Sequence, residues 1–219
     1  MQARCGGEVW AELECDEVFT VLSICFAPVE RDEWEQLVDG ALWSDFLDAV
    51  ARCGSQGEAA LADRDPMARA LLAPPSYDEK RAFAARHFTG GLPESAVPVE
   101  SLYTAWSNGS LPSPFSKAGG MYRGDAARYL RDLVERLGLE VPPQFAACPD
   151  HLALELDLVA VLLRSGRGDA ALQFAQERFS WLAAYRRRLL ELADDARFYI
   201  ALIDVILDAR ERLAPTAGA

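Results

Sequence analysis

An all-α architecture follows from three features of this chain. Apolar residues recur at three- and four-residue spacing nearly throughout, no segment alternates apolar and polar residues between turn signals as a strand would, and glycines and prolines punctuate the chain at helix-length intervals. Its 219 residues, 51% of them hydrophobic, suffice for one buried core. We read residues 1–219 as a single-domain multi-helix bundle, with a helical part over 1–106, a flexible connection over 107–120 and a second helical part over 121–213.

Val18, Val21, Leu22 and Cys25 mark the inner stripe of a first helix that Pro28 ends, and Trp34, Leu37 and Val38 belong to a short second one. Ser44 is placed to cap a third, Phe46 to Cys53, closed by Gly54. Between Gly57 and Pro75 the alanines favour helix while Asp65-Pro66 and Pro74-Pro75 interrupt it, so no boundary is assigned there. Ser76 or Asp78 caps a helix running to Phe88, which Thr89-Gly90-Gly91-Leu92-Pro93 stops. Asn108-Gly109, Pro112, Pro114 and Gly119-Gly120 then make a hinge or long loop, of the kind that permits exchange of segments between protomers.

Four helices follow: Tyr122 to Leu137, closed by Gly138; Asp150 to Leu163, closed by Gly166 and Gly168; Asp169 to Leu192; and Ala196 to Leu213, closed by Pro215. Asp150, Asp169 and Asp194 or Asp195 are read as caps. Phe198, Leu202, Val205, Ala209 and Leu213 form the inner face of the last helix. The Asp150 helix carries Leu152, Leu154, Leu156, Leu158, Val159, Val161 and Leu162 and almost no polar side, so it belongs at the centre, where its few charged residues are costly.

With 34 acidic against 22 basic residues the net charge is -12, which repels a phosphate backbone and favours a basic partner. Cys5, Cys15, Cys25, Cys53 and Cys148 are odd in number and never spaced as Cys-x-x-Cys, so they read as reduced and mostly buried. The longest apolar run, Leu158 to Leu163, falls far short of the roughly 20 residues of a membrane span, and the N-terminus lacks the apolar core of a signal peptide. A cytoplasmic protein is expected. There is no phosphate-binding Gly-x-x-x-x-Gly-Lys-Ser/Thr, no Gly-x-Gly-x-x-Gly, no His-Glu-x-x-His and no Gly-x-Ser-x-Gly, and His87 and His151 are too few for most metal sites. No catalytic residue, no metal site and no cofactor is assigned, and the chain is not read as an enzyme.

Three segments carry a resemblance. Arg86-His87-Phe88-Thr89-Gly90-Gly91 is similar to a leucine-phenylalanine-x-glycine-proline stretch, Val97-Pro98-Val99-Glu100-Ser101-Leu102-Tyr103 to a proline-x-x-serine-aromatic segment, and Asp150-His151-Leu152-x-x-Glu155-Leu156 to an Asp-His helix start. Together they resemble the TorD/DmsD/NarJ family of redox-enzyme maturation chaperones, with weaker support from Tyr129, Gly138-Leu139 and Trp181. Ala147 stands where many members have glutamate, His87 replaces the expected leucine, and Gly91-Leu92 replaces glycine-proline, which leaves the branch of the family open.

The resemblance implies an all-helical cytoplasmic chaperone that binds the twin-arginine signal peptide, the apoprotein, or both, of a molybdopterin oxidoreductase catalytic subunit until its cofactor is inserted. It also implies that weak guanine nucleotide binding is compatible with the fold, while the 107–120 connection leaves a monomer or a domain-swapped dimer open. A generic helical adaptor and a small-molecule or nucleotide binder stay open as alternatives. A receptor for such a peptide needs a groove lined by Leu, Val and aromatic residues and rimmed by carboxylates. Burial of about 400 Å² of apolar peptide surface would gain about 10 kcal/mol gross, against about 0.2 to 1 kcal/mol for each exposed arginine-carboxylate pair. The groove would then set affinity, and the acidic rim selectivity.

The candidate contacts are Asp150, His151, Glu155, Tyr103, Trp106 and Phe88. Each has a plainer reading beside it. Asp150 can be only an N-cap, His151 a structural histidine, and Glu155 a partner of His151 rather than of a client arginine. Tyr103, Trp106 and above all Phe88 can be core. Replacing Asp150 and His151 together should weaken peptide binding and leave helicity nearly intact. Arg186-Arg187-Arg188 reads as a solvated face.

Overall fold

Phe19, Leu22 and Cys25 on one helix and Leu152, Leu156 and Val159 on another are wholly excluded from solvent, and the burial of these two stripes against each other builds the centre of the fold. The computed structural model describes residues 7–53, 70–104, 120 and 122–213. Its helices are α1 (Gly7–Phe26), α2 (Arg31–Val38), α3 (Ala41–Cys53), α4 (Tyr77–His87), α5 (Asp125–Arg136), α6 (Leu152–Arg164), α7 (Gly168–Arg178), α8 (Leu182–Leu190) and α9 (Arg197–Leu213). Among the described residues there is no strand, only an isolated antiparallel bridge between Val99 and His151. No described helix is long and apolar enough to cross a membrane.

The central pair is antiparallel. Ser23 Oγ donates to Ala153 O at 2.8 Å near one end, and Arg164 Nε donates to Asp16 Oδ2 at 3.1 Å near the other. The expectation that the Asp150 helix is innermost therefore holds. Around the pair, α3 packs on α1, α7 on α6, α9 on α8, α7 and α3, and α2 on both α3 and α4. An aromatic cluster of Phe26, Phe83, Phe88 and Tyr199 joins α1, α4 and α9, with the Phe83 and Tyr199 rings stacked at 4.5 Å.

Local sequence accounts for several ends. Ser76 and Glu79 form a reciprocal capping box at the start of α4, so Ser76 is the cap where the sequence allowed Ser76 or Asp78. Gly138, at φ +73°, takes the left-handed conformation that lets Leu139 N–H reach Val134 O and closes α5. The C-terminus of α1 has no basic residue of its own, and Lys80 of α4 supplies one by donating to Ala27 O at 2.8 Å.

Other expectations need correction. The third helix begins at Ala41, so Ser44 lies inside its first turns and is not its cap. The fifth starts at Asp125 after Gly124 rather than at Tyr122. The long helix expected over 169–192 is broken by a 3-10 turn, Phe179–Trp181, between α7 and α8. That tighter winding turns Phe179 and Trp181 into the core together, which a continuous α-helix would not do for residues two apart. The inner face of α9 is Phe198, Tyr199, Leu202, Ile203 and Ile206, while Val205 and Ala209 are only half-buried.

Arg186 is not merely solvated, since its guanidinium forks onto Asp204, and Arg188 Nε donates to Ser95 O at 2.9 Å. Cys25 is buried and reduced, its thiol pushed up to about 12 by burial. The connection expected over 107–120 lies, Gly120 apart, outside the described residues, as does Trp106.

Candidate functional site

The segment after α4 and the start of α6 are far apart in sequence and are zipped together in space. Glu100 N–H donates to Asp150 O at 3.0 Å, Leu152 N–H to Pro98 O at 2.9 Å, and Ser101 N–H to Asp150 Oδ2 at 2.8 Å. Ser101 Oγ–H donates to the same carboxylate oxygen. Proline at 98 and the 3-10 turn Glu100–Leu102 hold the first segment extended and then sharply turned, which aims both Ser101 donors at one acceptor. Two of the motifs quoted above are thus one structural buckle.

Asp150 is 0% exposed, so it offers no surface to an incoming chain in this conformation. Nor does it cap α6. The cap is His151, whose Nδ1 accepts from Ala153 N–H at 3.2 Å. That contact leaves the ring proton on Nε2, and burial, with Lys80 adding to it, lowers the His151 pKa to about 4. The neutral ring packs on Phe145 at 4.9 Å.

Glu155 likewise pairs neither with His151 nor with solvent. It is 0% exposed, and Trp181 Nε1–H donates to its Oε2 at 3.3 Å. Burial, then the neighbouring Glu100 carboxylate, raises its pKa well above the ordinary carboxylate value. Glu100, also buried, is paired with Arg178, which lies over the Tyr129 ring at 4.9 Å. The Glu155 carboxyl lies within hydrogen-bonding reach of Glu100, which favours a proton on Glu155. Glu155 Oε1 receives no donor from any described residue, consistent with its carrying that proton. Tyr103 stacks on Trp181 at 5.4 Å and packs on Tyr185, so it roofs this buried cluster. Trp106 is the one candidate outside the described residues.

The accessible feature lies on the other side of His151. A groove of about 400 Å³, within the size range of ligand sites, is walled by Phe26, Ala27, Pro28 and Val29, by one face of α4, and by His151. The α4 residues are Tyr77, Lys80, Arg81, Ala84 and Ala85, and Phe88 just past its end continues their three- and four-residue spacing along one helix face. Alanines at 84 and 85 leave the space open, where larger side chains would fill it. Of the sequence-based candidates, His151 and Phe88 meet here.

Lys80, Val29 and Ala84 escaped the sequence reading. The recurrence of positions 77, 80, 81, 84, 85 and 88 was the available signal, and alanine made it weak. The expected rim of carboxylates is corrected too: the charged residues lining this groove are Lys80 and Arg81. The acids of α4 are committed elsewhere, Asp78 to Arg31 at 2.6 Å and Glu79 to its capping box. Among the described residues no His, Cys, Asp and Glu cluster could hold a metal ion.

Two outcomes follow. Asp150→Ala leaves the Ser101 donors buried without an acceptor and should cost about 1–3 kcal/mol in urea unfolding. For Glu155, the raised folded pKa means stability present below the unfolded value and lost as pH rises through the folded one. Glu155→Gln should therefore flatten the decline in unfolding midpoint from pH 5 to pH 8, measured beside the parent protein.

A sequence model of the nitrate reductase delta subunit family matches residues 58–193, more than half of the chain and all three motif segments. No curated protein and no solved structure matches. The buckle between Ser101 and Asp150 and the groove beside it are therefore features of a chain that belongs to the nitrate reductase delta subunit family, a family of redox-enzyme maturation chaperones.

Proposed function

We propose that this protein is a system-specific chaperone for a molybdopterin-dependent oxidoreductase, acting in the cytoplasm on the precursor before export. Its ligand is the twin-arginine signal peptide, or an equivalent apolar segment of the apoprotein, held until cofactor insertion is complete. The observation that carries this reading is the apolar groove in which Phe88 and His151, from two of the motif segments, share one lining with Phe26 and Val29.

The physics supports a division of labour. An apolar stretch gains most by leaving water, so it belongs in the groove. Client arginines remain solvated outside it, where Glu30, Asp32 and Glu33 are exposed at the start of α2. The net charge of -12 speeds the encounter with a basic peptide and is screened by salt. Asp150 serves the site by fixing where α6, and with it His151, begins rather than by touching the client.

Ala85 is exposed and lines the groove, so Ala85→Trp should fill it without disturbing the core. Calorimetric titration with a synthetic twin-arginine signal peptide should show affinity at least tenfold lower for this variant, with thermal unfolding within a few degrees of the parent. Undiminished affinity would remove the groove from the reading. Equal binding of the peptide and its lysine-lysine counterpart would favour a generic helical adaptor instead.

A further inference from the structure

The polar groups that line the groove are unusually one-sided. Lys80 is 5% exposed, and of its three N–H donors one goes to Ala27 O while the ammonium lies 5.1 Å over the Trp34 ring. Among the described residues no carboxylate lies within ion-pair distance of it. The groups whose charge reaches it are Glu33, exposed on α2, and the Cys25 thiol, which burial keeps neutral. Arg81 adds a second cation from the same helix face. His151 keeps a proton on Nε2, because its Nδ1 is spent accepting from Ala153 N–H. Ammonium, guanidinium and imidazole N–H are all donors, and apart from the Tyr77 hydroxyl the other side chains of the lining are apolar, in a chain whose net charge is -12.

Resting on the chaperone reading above, we propose that the groove reads a carboxylate: the client segment seated there carries one acidic side chain among its apolar residues, and Lys80 is the residue that recognises it. Folding has already removed Lys80 from water, so an arriving carboxylate meets a desolvated cation with free donors. The usual cancellation between desolvation and attraction then falls on the ligand alone. A glutamine at the same position would fill the same volume and accept a hydrogen bond, but it would leave the buried charge without a counter-ion. The client is thereby bipartite in charge, with arginines over the acidic outer surface and an acid inside the groove.

The test uses two fluorescein-labelled synthetic peptides, each with two arginines followed by an apolar leucine-alanine stretch, differing only in a central glutamate or glutamine. On the unmodified protein the glutamate peptide should bind at least tenfold tighter by fluorescence anisotropy, and Lys80→Met should abolish that preference. Equal affinities for the two peptides overturn the inference and leave the chaperone reading standing. Binding of neither peptide overturns the twin-arginine reading and the inference with it. A preference that survives in Lys80→Met overturns the assignment to Lys80. The comparison on unmodified protein decides the first point even if Lys80→Met loses its fold.

Discussion

The capture of the Asp150 carboxylate by Ser101, through both the backbone N–H and the hydroxyl, is the constraint on which the rest of this site depends. It joins the segment after α4 to the start of α6 at a point fully removed from water, and two backbone hydrogen bonds flank it. A buried acceptor with two aimed donors is costly to separate, so the junction fixes where α6 begins. From that start His151 turns toward the groove and Glu155, one turn on, turns toward Trp181.

Electrostatics divides the molecule into two unlike neighbourhoods. Behind α6 lie Asp150, Glu100 and Glu155 with Arg178 as their cation, and burial, with the Glu100 carboxylate adding to it, raises the Glu155 pKa. In front of it lies a groove whose polar lining offers donors, while the acids of the adjacent helices are committed to caps and pairs or face solvent. Net charge alone would have placed carboxylates at the binding site. Their actual positions place them behind it and outside it.

Much of the fold was legible because helical periodicity and end signals are local. The centrality of α6, the Ser76 cap and the Gly138 closure each follow from residues within one or two turns of one another. What was illegible required tertiary knowledge. No local rule says that Asp150 will face Ser101 instead of capping its own helix, or that Phe179 and Trp181 will force a 3-10 turn into an apparently continuous helix. The structure brings the described motif segments together, yet their spacing could not tell a buried residue that joins two segments from one that lines a groove. The groove itself was hidden because Ala27, Ala84 and Ala85 are part of its lining, and an absence of bulk leaves little trace in a hydrophobic pattern.

Hydrogen–deuterium exchange, read amide by amide with and without a synthetic twin-arginine signal peptide, tests most directly whether the Asp150 junction holds while the groove binds. The Ser101 and Leu152 amides should exchange slowly in the free protein and stay unchanged on binding, while Ala27, Val29 and residues 84–88 gain protection. Fast exchange at Ser101 in the free protein, or peptide-induced changes confined to 150–155, would contradict it.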